Sequence, residues 1–438
     1  MKPITKGLEP SGPKPELEAS SLGIDGIAAG GDGVGREASG RVVFVPRTAP
    51  GDRVDVEVTR SRARWARARV VRLAKEGPDR RIAPCGAYDG CGGCRVQHLN
   101  PEAQREAKRR LVRDALERIG GIETSVPRLI AAGGEFGYRN RVTFSTARSG
   151  VMGLRSLDDP ARVVDVAVCL LAEPPVQAAW QALRGAVASG DWKPPADDNA
   201  RLTLRASSDG SVDLTIRGGS TIGAGNAQDL LSLVPGLVGV HVAADEGGPQ
   251  LAAGATTLAD RWQEIDFDLP AGVFMQVNRA VSAAMDRWLD AKVGDVSGMR
   301  VLDLYSGVGA RAIRWASKGG LVTACEVSER AATACREAAA GVGAQVWVRT
   351  ARVEDFFDES ITADMVVVNP PRAGMSRSVC GALVDLPAER LAYVSCDPAT
   401  LARDLDRIGS SWKLTDLQPF DAFPQTAHVE TVAWLERP

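Results

Sequence analysis

No stretch of this 438-residue sequence approaches the run of about 18 continuous apolar residues that a membrane-spanning helix needs, so no span is expected. The first twenty residues, rich in Pro, Ser and Lys, have no apolar core of a secretion signal. They predict a short disordered lead over 1–20 and a cytoplasmic protein. Excess charge is also missing: the formal net charge is -2, which argues against a generally basic nucleic-acid binder while leaving room for a local basic face. Phe, Trp and Tyr together make up only 5% of the chain. Cysteine is present, eight residues of it, but a reducing compartment makes a disulfide framework an unfavourable reading.

The length allows two or three domains, and the composition, 44% hydrophobic and 25% charged, is globular. Between Ser21 and Ala74, Gly30, Gly31, Gly33 and Gly35 mark turns, and three short strands follow: Arg41 to Val45, Val54 to Val58 with period-two alternation, and Arg69 to Leu73. Such spacing predicts a small OB-like β-barrel over 21–75. Six arginines between Arg60 and Arg72, broken by Trp65, and the cluster Lys108, Arg109, Arg110 and Arg113 read either as RNA-facing surfaces or as solvated faces.

A cysteine-rich segment and a helix over 101–119 open a mixed α/β region, 76–278, with a second helix from Val176 to Ala188. Its strand candidates include Arg139 to Thr146, Arg201 to Ala206, Ser211 to Ile216, Gly236 to Ala243 and Leu251 to Leu258. From 279 to 438 apolar strands alternate with helices, which implies a doubly wound, Rossmann-like domain. The fold class is thus multidomain α/β.

The loop Asp303-Leu304-Tyr305-Ser306-Gly307-Val308-Gly309 follows a buried strand and opens a helix, so a ligand can approach its backbone closely. Glu326 ends the second strand, where a carboxylate can accept from both ribose hydroxyls. Asp355, after the third strand, is placed to bind an adenine amino group. A dinucleotide site would carry GxGxxG; this loop has only GxG, which favours S-adenosylmethionine, a donor without phosphate. Asn369-Pro370-Pro371-Arg372 projects from the carboxyl end of another strand, and Asn369 offers a donor and an acceptor to a planar polar ring. Phe274 and Gln276, just ahead of this domain, are candidates for stacking on a base and bonding to substrate or donor; ordinary packing at a domain seam is the alternative.

Ser395-Cys396-Asp397-Pro398 also follows a strand. A free cysteine is most often a small buried hydrophobe, but the polar, proline-containing context favours a nucleophile at the rim. Methylation of nitrogen or oxygen needs no such thiol. Carbon 5 of a pyrimidine does, because sulfur addition at C6 is what makes C5 nucleophilic. A base must then remove the C5 proton. Glu430 and His428 are the candidates; strand periodicity over 429–435 puts both on one face and does not choose between them.

Cys85, Cys91 and Cys94 form a tight set of soft ligands, with Cys169 the most plausible fourth. Four thiolates hold zinc or an iron–sulfur cluster; the single distant fourth ligand tilts the reading toward [4Fe-4S]. The CxxxCxxC signature of radical chemistry is absent, so a clamp between chain segments is the expected role.

Taken together these motifs resemble, over nearly the whole chain, the RNA 5-methyluridine methyltransferases, and more narrowly the iron–sulfur members that act on bacterial 23S ribosomal RNA. The resemblance implies a TRAM domain over Gly23 to Leu73 and a class I S-adenosylmethionine-binding catalytic domain. It also implies cluster ligands at Cys85, Cys91, Cys94 and Cys169, the nucleophile at Cys396 and the base at Glu430. Tyr305, Gly307, Gly309, Glu326, Asp355, Gln276 and Asn369 fall to donor binding, and Phe274, Gln276 and Asn369 to substrate. Asn278 belongs to the same motif as Phe274. RNA is the implied partner, ribosomal RNA before transfer RNA, and the protein is expected to be a monomer. Three departures stand out: Asn369 replaces the family's usual aspartate, Ala310 replaces a polar residue, and 338–343 is poor in asparagine. They keep open a non-catalytic RNA-binding or ribosome-assembly role, which Cys396 and Glu430 oppose.

Overall fold

The structure is a computed structural model that describes residues 21–195, 197, 200–218, 224–243, 248–357 and 361–438. The expected disordered lead lies outside the described residues. Two units divide the chain at Arg80.

In the first unit, strands β1 (Ser21–Ile27), β2 (Gly33–Arg36), β3 (Val42–Val45), β4 (Arg53–Ser61) and β5 (Trp65–Lys75) close a barrel in the order β1-β2-β3-β5-β4. Val54, Val56, Ala66 and Ala68 point inward with Leu22, Ile24, Val43 and Val45, as their period of two requires. Gly33 and Gly35, expected in turns, lie in β2. A Cβ on Gly35 would sit 2.3 Å from the Gly23 carbonyl oxygen, so glycine is what lets β1 and β2 approach. The arginine run is partly neutralised by its own sheet: Arg72 pairs with Asp55 at 2.7 Å and Arg69 with Glu57 across β4 and β5. Arg60 lies over the Trp65 ring. Beneath the barrel, buried Asp52 accepts from the backbone of Ala49 (2.6 Å) and Gly77 (2.8 Å) and from Arg80.

The second unit begins with the cysteine-rich segment and helix α1 (Pro101–Arg118), capped by Asn100, whose side chain accepts from Ala103 N. Its basic cluster is not a free face. Lys108 is buried against Asp421, Arg109 and Arg110 pair with Glu106, and Arg113 pairs with Asp114. Next come β6 (Arg141–Thr146), β7 (Met152–Arg155), β8 (Val163–Asp165), α2 (Pro174–Ser189), β9 (Arg201–Ala206), β10 (Val212–Arg217), α3 (Ala224–Leu233), β11 (Leu237–Ala243) and β12 (Gln250–Gly254). These strands form one seven-stranded sheet, ordered β12-β11-β10-β9-β6-β7-β8. Phe144, Leu202, Leu204, Leu214 and Ile216 pack with Trp180 and Leu183 of α2. The expected strand from Leu251 to Leu258 is instead two. At Gly254 (φ +80°) the chain breaks away, and β13 (Thr257–Trp262) pairs with β14 (Ile265–Pro270) as a separate hairpin.

After α4 (Arg279–Val293), the rest of the chain alternates: β15 (Arg300–Leu304), α5 (Ala310–Ala316), β16 (Leu321–Glu326), α6 (Glu329–Gly341), β17 (Val346–Thr350), β18 (Met365–Val368), α7 (Arg377–Asp385), β19 (Arg390–Ser395), α8 (Pro398–Ile408), β20 (Lys413–Phe420) and β21 (Glu430–Glu436). The sheet order is β17-β16-β15-β18-β19-β21-β20, parallel except for β21, which runs antiparallel between β19 and β20. The β18 strand is wholly apolar because helices cover both faces. The order reverses between β15 and β18, and ligands of such sheets bind at that crevice, beyond the carboxyl ends of the strands.

Candidate active site

The crevice opens into a cavity of about 1180 Å³, bounded by the loops after β15, β16, β18 and β19, by Glu430, by the segment ahead of α4 and by the cysteine-rich segment. That space is ample for a nucleoside donor and a nucleobase together.

Tyr305, Gly307 and Gly309 all take left-handed backbone, at φ +59°, +60° and +71°. Tyr305 and Gly307 line the cavity. Gly309 serves otherwise: it caps α5, and a Cβ there would lie 2.1 Å from Cys335 Sγ on α6. Glu326 holds two loops at once, accepting from Gly307 N (2.9 Å) and Ser328 N (2.8 Å), and still lines the cavity. Buried Asp303, next to this loop, leaves Oδ1 without a partner among the described residues, and burial pushes its carboxyl up to about 6, with Arg311 opposing. These features suit a donor with ribose hydroxyls and a charged amino-acid end. The expected adenine ligand, Asp355, is exposed and off the cavity wall. After β17 a single 3₁₀ turn, anchored by buried Val353, brings Glu354 to the wall instead.

Asn369 is tied to β15 by its N–H, which donates to Leu304 O at 3.2 Å, and Pro370, Pro371 and Arg372 carry the wall onward. Phe274, 58% exposed, and half-buried Gln276 line the same cavity. An exposed aromatic ring at a cavity edge is a stacking surface rather than core. Asn278 does not reach the cavity. It caps α4 through Val281 N and donates to Ala422 O, fastening the segment before α4 to the loop that precedes Glu430.

Cys396 lies between β19 and α8, beside Asp397, whose side chain caps α8 through Ala399 N and Thr400 N. The antiparallel register pairs Ser395 with Thr431, which brings Cys396 to the position facing Glu430. Both line the cavity, as does Arg372. Burial and the Glu430 charge push the thiol up to about 11, while Arg372 pulls it down. Burial likewise pushes Glu430 up to about 8, again with Arg372 opposing. A buried carboxyl and thiol sharing one guanidinium are coupled: protonation of either favours ionisation of the other. Arg372 had no assigned role in the sequence; only its place beside both groups gives it one.

His428 does not share this arrangement. The strand starts at Glu430, so alternation does not extend back to His428, which lies off the cavity wall, edge-on to Phe423. Desolvation and the charges of Arg372, Lys108 and Arg139 push its imidazole down to about 4.

The loop before Glu430 is heavily braced. Gln425, at φ +71° and fully buried, accepts at its carbonyl from Arg95 N and Val96 N and at its side chain from Arg81 and Gln104. Lys108 donates to Asp421 and Phe423 O, and Tyr138 donates to Pro424 O. No local pattern signals these braces, which join residues some 300 positions apart.

Cys85, Cys91, Cys94 and Cys169 line the same cavity. Burial pushes Cys94 up to about 12, with Gln97 bonding to it and the other three thiols reinforcing the rise. Gly93 N donates to Cys91 Sγ, and Cys169 receives the backbone N–H groups of Leu171 and Ala172. Among the described residues, however, no group of three or more His, Cys, Asp or Glu side chains is arranged to hold a metal ion. No helix among them is long and apolar enough to cross a membrane.

The fold and its crevice define a class I S-adenosylmethionine-dependent methyltransferase domain, joined in this chain to a five-stranded barrel. Comparison with known proteins narrows the class. Residues 337–438 match the tRNA (Uracil-5-)-methyltransferase family model, and residues 22–71 match the TRAM domain. The chain is 33% identical to the 23S rRNA (uracil(1939)-C(5))-methyltransferase RlmD of Chromohalobacter salexigens, over 96% of this chain and 90% of that protein. It is likewise 33% identical to RlmD of Halomonas elongata, over 95% and 89%. A solved structure, the Pyrococcus abyssi tRNA (uracil-54, C5)-methyltransferase in complex with S-adenosyl-L-homocysteine, shares the fold with a TM-score of 0.77 at 24% identity, covering 96% of this chain and all of that one. The chain belongs to the TRAM-containing, S-adenosylmethionine-dependent RNA 5-methyluridine methyltransferases.

Proposed function

We propose that this enzyme methylates C5 of an RNA uridine with Cys396 as nucleophile and Glu430 as base. The single observation carrying the residue assignment is the β19–β21 register, which sets Cys396 opposite Glu430 in a cavity that also holds the donor loop. S-adenosylmethionine supplies an electrophilic methyl group there. Cys396 Sγ, with its negative charge supported by Arg372 and the amino end of α8, forms a bond to C6 of the uracil ring. The displaced electron pair makes C5 nucleophilic, and C5 takes the methyl group as its bond to the donor sulfur breaks, the sulfur keeping the electron pair in S-adenosylhomocysteine. Glu430 then removes the C5 proton; the C5–H electrons restore the double bond and expel the thiolate. Phe274 stacks on a base and Asn369 bonds to the uracil edge. A base inside folded RNA reaches this cavity by leaving its stack.

The test is a covalent adduct with 5-fluorouridine-containing RNA in the presence of donor, formed by the wild type and absent in Cys396→Ala. Failure of the wild type to form it on total rRNA and tRNA overturns the assignment.

For the RNA class, the match of the catalytic segment to a model named for tRNA favours transfer RNA, and the 33% identical RlmD relatives favour 23S rRNA as the second reading. Nucleotide-resolution mapping of 5-methyluridine in cells with and without the protein separates them. A [4Fe-4S] cluster on Cys85, Cys91, Cys94 and Cys169 belongs to the same proposal. Four thiols lining one cavity, Cys91 and Cys169 with N–H donors, support it. Iron and sulfide analysis of anaerobically prepared protein tests it. A cytoplasmic monomer, testable by fractionation and light scattering, completes the reading.

A further inference from the structure

The central sheet has two unlike faces. Along β6, β9 and β10 the even-numbered residues Val142, Phe144, Leu202, Leu204, Leu214 and Ile216 pack on α2. The odd-numbered residues form the other face in three cross-strand rows. Arg141, Arg205 and Asp213 make the first, Thr143, Thr203 and Thr215 the second, and Ser145, Arg201 and Arg217 the third. A face of such composition is built for a polar ligand rather than for a protein core.

A second cavity, of about 250 Å³, lies over this face. It shares Arg141, Thr143, Gly272 and Val273 with the wall of the catalytic cavity, so the two are contiguous. At the shared end Arg141 and Arg205 stand directly opposite each other, an arrangement that repels unless an anion lies between. Arg205 is only 7% exposed; one of its nitrogens donates to Val273 O at 3.4 Å, and Nε and Nη2 have no partner among the described residues. Asp260 and Asp213, the latter directly opposite Arg205 in the register, lend it charge support but bond to neither Nε nor Nη2: Asp260 holds Arg279 at two distances near 3 Å, and Asp213 lies 2.7 Å from His241 Nδ1. A buried guanidinium with unused donors costs stability, and its forked geometry matches a phosphate.

We propose that Arg141 and Arg205 form a phosphodiester-binding site for the RNA backbone beside the target nucleotide, with the threonine row and Arg201 and Arg217 continuing the track. The last two lie in the third row, four residues along the strands from the first row and about 13 Å away. The site deepens the proposed function and rests on RNA being the substrate. Continuity with the catalytic cavity favours a polymer's backbone over a small phosphorylated molecule, because one strand can then occupy both.

The test compares the wild type with Arg205→Gln and Arg141→Gln, binding a fluorescein-labelled single-stranded RNA 20-mer across a salt series. Each variant binds roughly tenfold to a hundredfold more weakly, as expected for a lost charge-assisted bond. The slope of log K against log salt falls by about 0.7 per arginine removed. Free Arg205→Gln melts close to wild type, since the long bond to Val273 O is lost while two buried, unused donors are removed. Wild-type affinity and slope in both variants overturn the site. Cys396 adduct formation by those same variants at saturating 5-fluorouridine RNA then shows that the catalytic reading stands without it. Inorganic phosphate at constant ionic strength, displacing RNA from none of the three proteins, supports the backbone reading. Phosphate binding abolished by Arg205→Gln with RNA binding unchanged assigns the site to small phosphorylated ligands instead and overturns the proposal. Should Arg205→Gln fail to fold, RNA must protect Arg141 and Arg201 of the wild type from phenylglyoxal; unprotected arginines overturn it.

Discussion

Replacing Glu430 by glutamine keeps the size of the side chain and removes its capacity to take a proton. In the proposed reaction only the last step is blocked, so methylated RNA stays bonded to Cys396. The wild-type carboxyl, raised by burial to about 8 against an ordinary value of 4.5, is about one-tenth ionised at pH 7. Where proton removal limits turnover, the rate rises about tenfold between pH 7 and pH 9 and then levels. Stability moves the other way. The folded value lies above the unfolded one, so the carboxyl binds its proton more tightly in the folded state. Its burial costs nothing below pH 4.5, costs more with each pH unit up to about 8, and stays constant beyond, reaching at most roughly 5 kcal/mol. Glu430→Gln escapes this cost, so it should match the wild type in thermal stability near pH 4.5 and exceed it by several degrees at pH 9. Denaturing gels of RNA-bound protein and thermal melts at the two pH values measure both effects. A flat wild-type pH profile between 6.5 and 9, together with turnover by Glu430→Gln and no trapped adduct, refutes the reasoning.

Three further perturbations test the scaffold. Lys108→Met leaves Asp421 buried without its cation and should cost roughly 3–5 kcal/mol in denaturant unfolding, with slower turnover because the Glu430 loop loses its brace; an unchanged midpoint contradicts it. Gly309→Ala puts a Cβ against Cys335 Sγ at a left-handed position, and should weaken donor binding in calorimetry, partly rescued by Cys335→Ala. For Asp52, burial opposes ionisation, but Arg80 and the N–H groups of Ala49 and Gly77 hold its carboxyl below the ordinary 3.8. Its stabilisation is therefore complete above that value and lost as pH falls through the depressed one. Asp52→Asn should weaken the barrel at pH 6 and flatten its acid transition, followed by Trp65 fluorescence; equal transitions rule this out.

Much of the site was readable because its residues sit in short loops at strand ends. Glu326, Asn369 and Cys396 each follow an apolar strand, and the carboxyl end of a parallel strand is where such sheets place ligands. Where the structure departs from the local pattern the cause is shared: that pattern carries no information about the fine rotation or partner of a side chain. Asp355 and Glu354 are adjacent acids, and only the 3₁₀ turn decides which faces inward. The Leu251–Leu258 run looks continuous, although Gly254 turns it from one sheet to another. The α1 cluster looks basic until Asp421, 313 positions away from Lys108, neutralises its centre.

By itself the sequence determined what depends on residue type and spacing: the alternation of strands and helices, the glycine loop, and a thiol and a carboxyl suited to pyrimidine chemistry. Tertiary structure alone decided what depends on distance between remote segments. It set Cys396 opposite Glu430, put Arg372 beside both, left His428 off the cavity wall, and brought Arg141 to Arg205 across a sheet. The reason is physical: burial and charge act through space and fall off over a few ångströms, while sequence separation says nothing about which groups folding brings within that range.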